Sequence, residues 1–251
     1  MKTKTLFTLL LSACCTLAVQ AQFNQDDLIG IWQINTVKAL KSMPEARKEK
    51  MDANGEMLAM MFLTATMEFR KDGTSISKGP SFSKKEKVTK GKWKLEGDQL
   101  SVTNEGGKTR TMRLVSLASD HFIVDNPKQG RQQVEFISLN PILEEMTQTN
   151  KVKATKKQLI GDWTLSAVEN QGRTFVFGVT YTLAKDGTQK LTTVLGQTDS
   201  KKNGSWKMMG NNSFEVKTSK ETNTFKIVYF TPDRMIAIDK KGDKAMFDRK
   251  K

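Results

Sequence analysis

Two cysteines and one histidine are all the thiol and imidazole that a chain of 251 residues contains. Cys14 and Cys15 both lie in a first segment that reads as a secretory signal peptide. Lys2 and Lys4 precede an apolar run from Leu6 to Val19, and Val19-Gln20-Ala21 is an A-x-A-like cleavage site. Cleavage after Ala21 leaves a mature chain without cysteine. Disulfides, thiol catalysis and cysteine-based metal sites are then excluded. His121 stands alone and is expected as a turn residue, because a metal site or a general base needs partners that a lone histidine lacks. The paired carboxylates Asp26-Asp27 and Glu144-Glu145 fall at helix starts, where capping accounts for them. No run after Val19 is long and apolar enough for a membrane helix, so the mature chain is expected to be soluble. This inventory disfavours an enzyme, and no cofactor is expected.

The first segment has a rival reading. Leu11-Ser12-Ala13-Cys14 resembles the lipobox of bacterial lipoproteins, whose cysteine is acylated and anchored to a membrane. Against it, Cys15-Thr16-Leu17-Ala18-Val19 continues the apolar run where a lipoprotein tether is polar. The expected localisation is export, to the periplasm or the medium, with the Cys14-anchored form as the alternative. Charge is uneven along what remains. Residues 22–149 hold 19 Lys/Arg against 17 Asp/Glu, and residues 150–251 hold 20 against 10. The basic second half could dock on an anionic envelope surface. Its lysines are scattered rather than clustered with aromatics, so nucleic acid is not expected as a partner.

What the chain does have is itself, twice. LIGIW at 28–32 returns as LIGDW at 159–163, and MEFRKDGT at 67–74 returns as YTLAKDGT at 181–188. GKWKLEGDQLSV at 91–102 and TMRLVSLASDHFIV at 111–124 have counterparts starting at 204 and 224. Four blocks in one order and near-constant spacing mark a structural repeat. Each block reads as strand and turn. Asp72-Gly73 and Asp186-Gly187 are hairpin signals, because such turns need positive φ, and KDGT lacks the glycine-rich loop and following helix of a phosphate site. In Gly91-Lys92-Trp93-Lys94-Leu95 apolar and charged residues alternate, so one sheet face is buried and one is wet.

Eight strands are expected in each copy. In the first copy they are 31–38, 65–70, 74–79, 86–95, 99–104, 109–117, 121–126 and 132–139. In the second they are 162–169, 177–184, 188–195, 201–208, 213–218, 222–230, 234–239 and 243–249. Sequential strands joined mainly by hairpins predict an up-and-down barrel. The fold class is thus all-β, with two eight-stranded barrels in tandem. The domains are a signal peptide over 1–21, a first barrel over 22–140, a helix and basic linker over 141–156, and a second barrel over 157–251. The first copy carries about 17 extra residues between its first two strands, from the drop in offset from 131 to 114. They predict a helical insertion over 43–63 that starts at Ser42-Pro44-Glu45 and breaks near Asn54-Gly55. After Asn140-Pro141 a short helix is expected, with Asn140 as its cap.

Gly30-x-Trp32 and Gly161-x-Trp163, each opening the first strand of an eight-strand repeat, resemble the G-x-W signature of lipocalins. The later blocks Gly91–Asp98 and Gly204–Asn211 are similar to the lipocalin-like domains of exported bacterial proteins. The resemblance implies barrels with a cup for a small apolar or amphipathic molecule. It also implies an arginine on the eighth strand across the first tryptophan, for which Arg249 is the candidate. Of the lipocalin T-D-Y motif, Ser119-Asp120-His121 and Pro232-Asp233-Arg234 keep only the aspartate. Lipocalin-like barrels carry their lid between strands one and two, where the Met-rich insertion lies, and methionines adapt to irregular apolar ligands. The expected ligand contacts are Met57 and Met61 from the insertion, with Met67, Phe69, Met112 and Leu114 from the first barrel. Trp32, Trp93, Trp163 and Trp206 are expected as core. The expected function is non-catalytic binding of a small apolar or amphipathic ligand in the cell envelope. The alternative is a filled-barrel interaction module docking on an envelope partner.

Overall fold

The computed structural model describes residues 23–79, 87–126, 132–150, 153–170, 173–197, 202–210, 212–219 and 221–250. The signal segment with Cys14 and Cys15 lies outside them. The first copy contributes β1 (Gly30–Ile34), β2 (Thr66–Phe69), β3 (Thr74–Gly79), β4 (Lys87–Glu96), β5 (Gln99–Asn104), β6 (Thr109–Leu117), β7 (His121–Asn126) and β8 (Gln132–Ser138). The second contributes β9 (Gly161–Asn170), β10 (Arg173–Leu183), β11 (Thr188–Thr192), β12 (Gly204–Met208), β13 (Ser213–Thr218), β14 (Thr222–Phe230), β15 (Arg234–Asp239) and β16 (Lys244–Arg249). Each set closes into an antiparallel barrel in sequence order, so neither sheet has a free edge.

The hairpins form for the reason read from the sequence. Gly73 and Gly187 sit at φ +78° and +88°. The carboxylates of Asp72 and Asp186 accept from the amide and hydroxyl of Thr74 and Thr188 at 2.6–2.9 Å. Those bonds hold both acids below the usual carboxylate range.

The two copies part company at their first hairpin. β9 and β10 run long and pair along most of their length. In the first copy β1 stops at Ile34, not at 38, because Asn35 accepts from the Lys38 amide and caps a helix there. The chain then builds α1 (Thr36–Lys41), α2 (Glu45–Lys48) and α3 (Ala53–Leu63) before β2. Pro44 caps α2, while Ser42 ends α1. Asn54-Gly55 does not break a helix. It lies in the first turn of α3, whose cap is Asp52. The insertion therefore replaces the upper halves of two barrel strands rather than being added to them.

The insertion seats on the other barrel. Leu40 and Met60 are fully buried against Val179 of β10. Glu56 is also fully buried, and its carboxylate accepts from the Thr193 hydroxyl at 2.6 Å and the Leu195 amide at 2.9 Å. A bulge in β10 after Val176 frees that residue's backbone, which pairs with the side-chain amide of Gln33 at 3.1 and 3.2 Å. Gly178 sits in the same bulge. A Cβ there would stand 2.6 Å from Val37 and 3.0 Å from Val194. Gly178→Val should therefore pry the barrels apart, at a cost of about 1–3 kcal/mol. Denaturant unfolding of the full chain measures it, and an unchanged midpoint would refute the contact.

The segment between the barrels is packed as well. α4 (Asn140–Glu145) carries Pro141 in its first turn. Leu139, not Asn140, occupies the cap position, and the Asn140 side chain instead accepts from the Ile31 amide. Met146 is buried with Ala167, Ile236 and Met246 on the outer face of the second barrel. A last turn, α5 (Lys156–Leu159), is closed by a capping box between Thr155 and Gln158.

Candidate functional site

Each barrel is shut at one end by tryptophan. Trp32 and Trp163 donate their indole N–H to the carbonyls of Leu28 and Leu159, both at 2.8 Å. Trp93 and Trp206 donate to Arg70 and Ala184, at 2.9 and 2.8 Å. A bonded indole can be buried without an orphaned donor. All four rings are at most 5 % exposed and form floors.

Above its floor the first barrel is hollow, with a cavity of about 530 Å³. The alternation along β6 turns Arg110, Met112 and Leu114 inward in that order, from mouth to floor. β5 repeats the gradient with Asn104, Val102 and Leu100. β3 adds Ser75 and Ser77, and the β5–β6 turn brings Lys108 beside Arg110. Among the described residues neither cation has an ion-pair partner. Ile34 and Val134 also line a cleft of about 780 Å³ beneath the insertion, walled by Met43, Ala59 and Leu63. Lys38 and Glu135 pair across that cleft.

Of the six contacts expected from the sequence, Met67 and Met112 line the cavity. Phe69 and Leu114 lie lower, buried in the floor with Trp93 and Phe122. Met57 and Met61 do not reach it. Met57 joins the cluster on the second barrel, and Met61 is 53 % exposed. The reason is the docking of α3, whose buried face carries Met60 to Val179 of β10 and Glu56 to the Thr193–Leu195 turn after β11. Arg110, Lys108, Ser75 and Ser77 were missed, although the period-two pattern that places Met112 inward places Arg110 inward too.

The second barrel holds a smaller cavity of about 240 Å³. Its wall is apolar, with Leu165, Leu191, Phe214, Met235 and Phe247 above Trp163. Tyr181 also faces it. Burial, with Glu221 acting in the same direction, pushes that phenol up to about 12, so it stays a neutral hydrogen-bonding group. At the rim Lys202 pairs with Glu221 and Lys244 with Glu169, both at 3.5 Å. Deep in the wall, Gln189 of β11 is 1 % exposed. Among the described residues neither its Oε1 nor its Nε2 has a partner.

His121 lies outside both cavities, with Nδ1 2.8 Å from the Asp120 carboxylate. Its hydrogen bond lowers the pKa of that acid. Among the described residues no three of His, Cys, Asp and Glu are grouped as metal ligands.

Residues 28–124 match the family model of the lipocalin-like domain. The first barrel is a lipocalin-like domain. The second repeats its strand order, hairpins and tryptophan hydrogen bonds, and has the same fold. Among solved structures, a lipocalin-like protein from Bacteroides uniformis is similar at 12 % identity. The match covers 45 % of this chain and 98 % of that one, with a TM-score of 0.30. The glycoside hydrolase family 43 YxiA protein from Bacillus licheniformis is 12 % identical over 74 % of this chain and 54 % of its own, with a TM-score of 0.28. At these scores neither bears on activity. No curated protein matches.

One lipocalin-like feature is unequal between the domains. In the second, the Arg249 guanidinium lies 4.3 Å over the Trp163 ring and donates to Pro232 and Ile160 at 2.8 and 3.2 Å. Gly161, at φ +133°, leaves it room: a Cβ there would stand 2.9 Å from Nη1. In the first, Asn140 takes that place against Gly30.

Proposed function

We propose that the protein is a non-catalytic binding protein, exported to the cell envelope, that holds an anionic amphiphile in its first lipocalin-like barrel. The polarity gradient along β6 carries the reading. An acyl chain would lie along Met112, Val102, Val124 and Phe136, with its head at the mouth beside Arg110 and Lys108. The volume falls within the usual range for small-molecule pockets. These two cations, unpaired among the described residues, give the head a partner that the floor lacks, and burial of the chain supplies the affinity. His121 lies away from the cavity, which supports binding rather than catalysis. The apolar run and cleavage site before Gln22 support export.

Titration of the purified mature chain with dodecanoate tests this, followed through the ¹³C-labelled methionine methyls. The resonances of Met67 and Met112 should move together. Arg110→Glu should weaken binding by about tenfold while leaving the fold intact, because a charge at an open mouth is partly screened. Saturating dodecanoate that leaves both methyls unmoved would overturn the reading.

A further inference from the structure

Gln189 has no structural task that the fold explains. It pairs through its backbone with Leu183 and Gly204, close to the Asp186-Gly187 turn at the closed end. Its side chain points into the second cavity with both amide atoms unpartnered among the described residues. The repeat places Ser75 at the equivalent position of the first barrel, so the two walls differ where they are deepest. A buried amide without partners is costly, and native proteins keep few of them.

We infer that the second barrel is a separate binding site for a small neutral molecule, an apolar body ending in a primary carboxamide, inserted head first so that the carboxamide pairs with Gln189. Three observations fix the chemistry. Gln189 presents one acceptor and one donor side by side, and a carboxamide answers both with two hydrogen bonds. The wall around it is hydrocarbon and aromatic, so the rest of the ligand is apolar. The head carries no charge: the two lysines at the rim are committed to Glu221 and Glu169, and among the described residues no cation stands beside Gln189 in the lining. A carboxylate at that depth would be a buried, unpaired anion. An apolar cavity of about 150 Å³ holds a benzene. The 240 Å³ here admits an aryl ring or short alkyl chain with its head group. The orientation is the reverse of that in the first barrel, where the cations Arg110 and Lys108 stand at the mouth. The inference rests on the reading of these barrels as binding barrels, but not on the ligand assigned to the first.

Benzamide, toluene and benzoate, titrated separately into the full mature chain, discriminate the terms. Met235 lines the second cavity, and Met67 and Met112 line the first, so the labelled methionine methyls report which barrel is filled. Benzamide should shift Met235 and bind at least about tenfold more tightly than toluene or benzoate. Gln189→Leu should lose about tenfold to a hundredfold in benzamide affinity, take up toluene at least as well, and melt no lower than the wild type. Three results would each overturn the site: a Met235 methyl that millimolar benzamide leaves in place, shifts confined to Met67 and Met112, or an unchanged preference in Gln189→Leu. Failure of the amphiphile reading shows separately, as dodecanoate that leaves Met67 and Met112 unmoved.

Discussion

Truncation of Trp163 to alanine should leave the second barrel unfolded or nearly so. The ring is fully buried and forms the barrel floor, so its removal costs about 3–5 kcal/mol through lost burial and the cavity left behind. Two further losses follow from the geometry. The Leu159 carbonyl gives up the indole N–H at 2.8 Å, and the Arg249 guanidinium loses the ring it covers. Denaturant unfolding followed by near-ultraviolet circular dichroism reads the change. Trp163→Phe keeps a ring over the floor and should cost less than the alanine variant. If alanine costs under about 1 kcal/mol, the indole does not close the barrel.

Met60→Asp should separate the two barrels energetically. Met60 has no exposed surface and touches Val179 across the interface. Among the described residues no Lys or Arg is buried, so an aspartate there must either stay buried and unpaired, at about 3–5 kcal/mol, or lift α3 off β10. Lifting α3 breaks the Glu56 bonds to Thr193 and Leu195 as well. Scanning calorimetry should show one cooperative transition for the wild type and two for the variant. Met60→Leu, which conserves volume, should cost under about 1.5 kcal/mol and keep the single transition. A Met60→Asp protein that still melts in one step, at an unshifted temperature, would mean that the helix is not seated as described.

The barrels were legible in the sequence because a half-buried strand writes its register as alternation. Trp93 and Leu95 against Lys92 and Lys94 fix β4, and the KDGT turns fix the hairpins on either side. The end of β1 was not legible. Ile34-Asn35-Thr36-Val37 is rich in β-formers, yet Asn35 caps a helix, and only the partner surface on β10 decides between the two. For the same reason the Met-rich insertion was assigned to the wrong neighbour. Composition says that Met57 and Met61 suit an apolar surface. It cannot say which surface, since that depends on contacts more than a hundred residues away. Arg110 and Gln189 are a different kind of miss. Both stand in inward positions of strands that were expected from the sequence, and extending the period-two alternation along those strands reaches them.

The helix α3 is held in common by the two barrels. One flank, through Ala59 and Leu63, lines the cleft that shares Ile34 and Val134 with the first cavity. The other grips the Thr193–Leu195 turn that follows β11 at the mouth of the second barrel. A guest that displaced this helix from one side would disturb its seat on the other. Thermodynamic linkage makes that effect symmetrical: whatever factor the first guest applies to the affinity of the second, the second applies to the first. If both barrels are filled as proposed, the extra residues of one repeat would make two copies of a container a single object with two inputs.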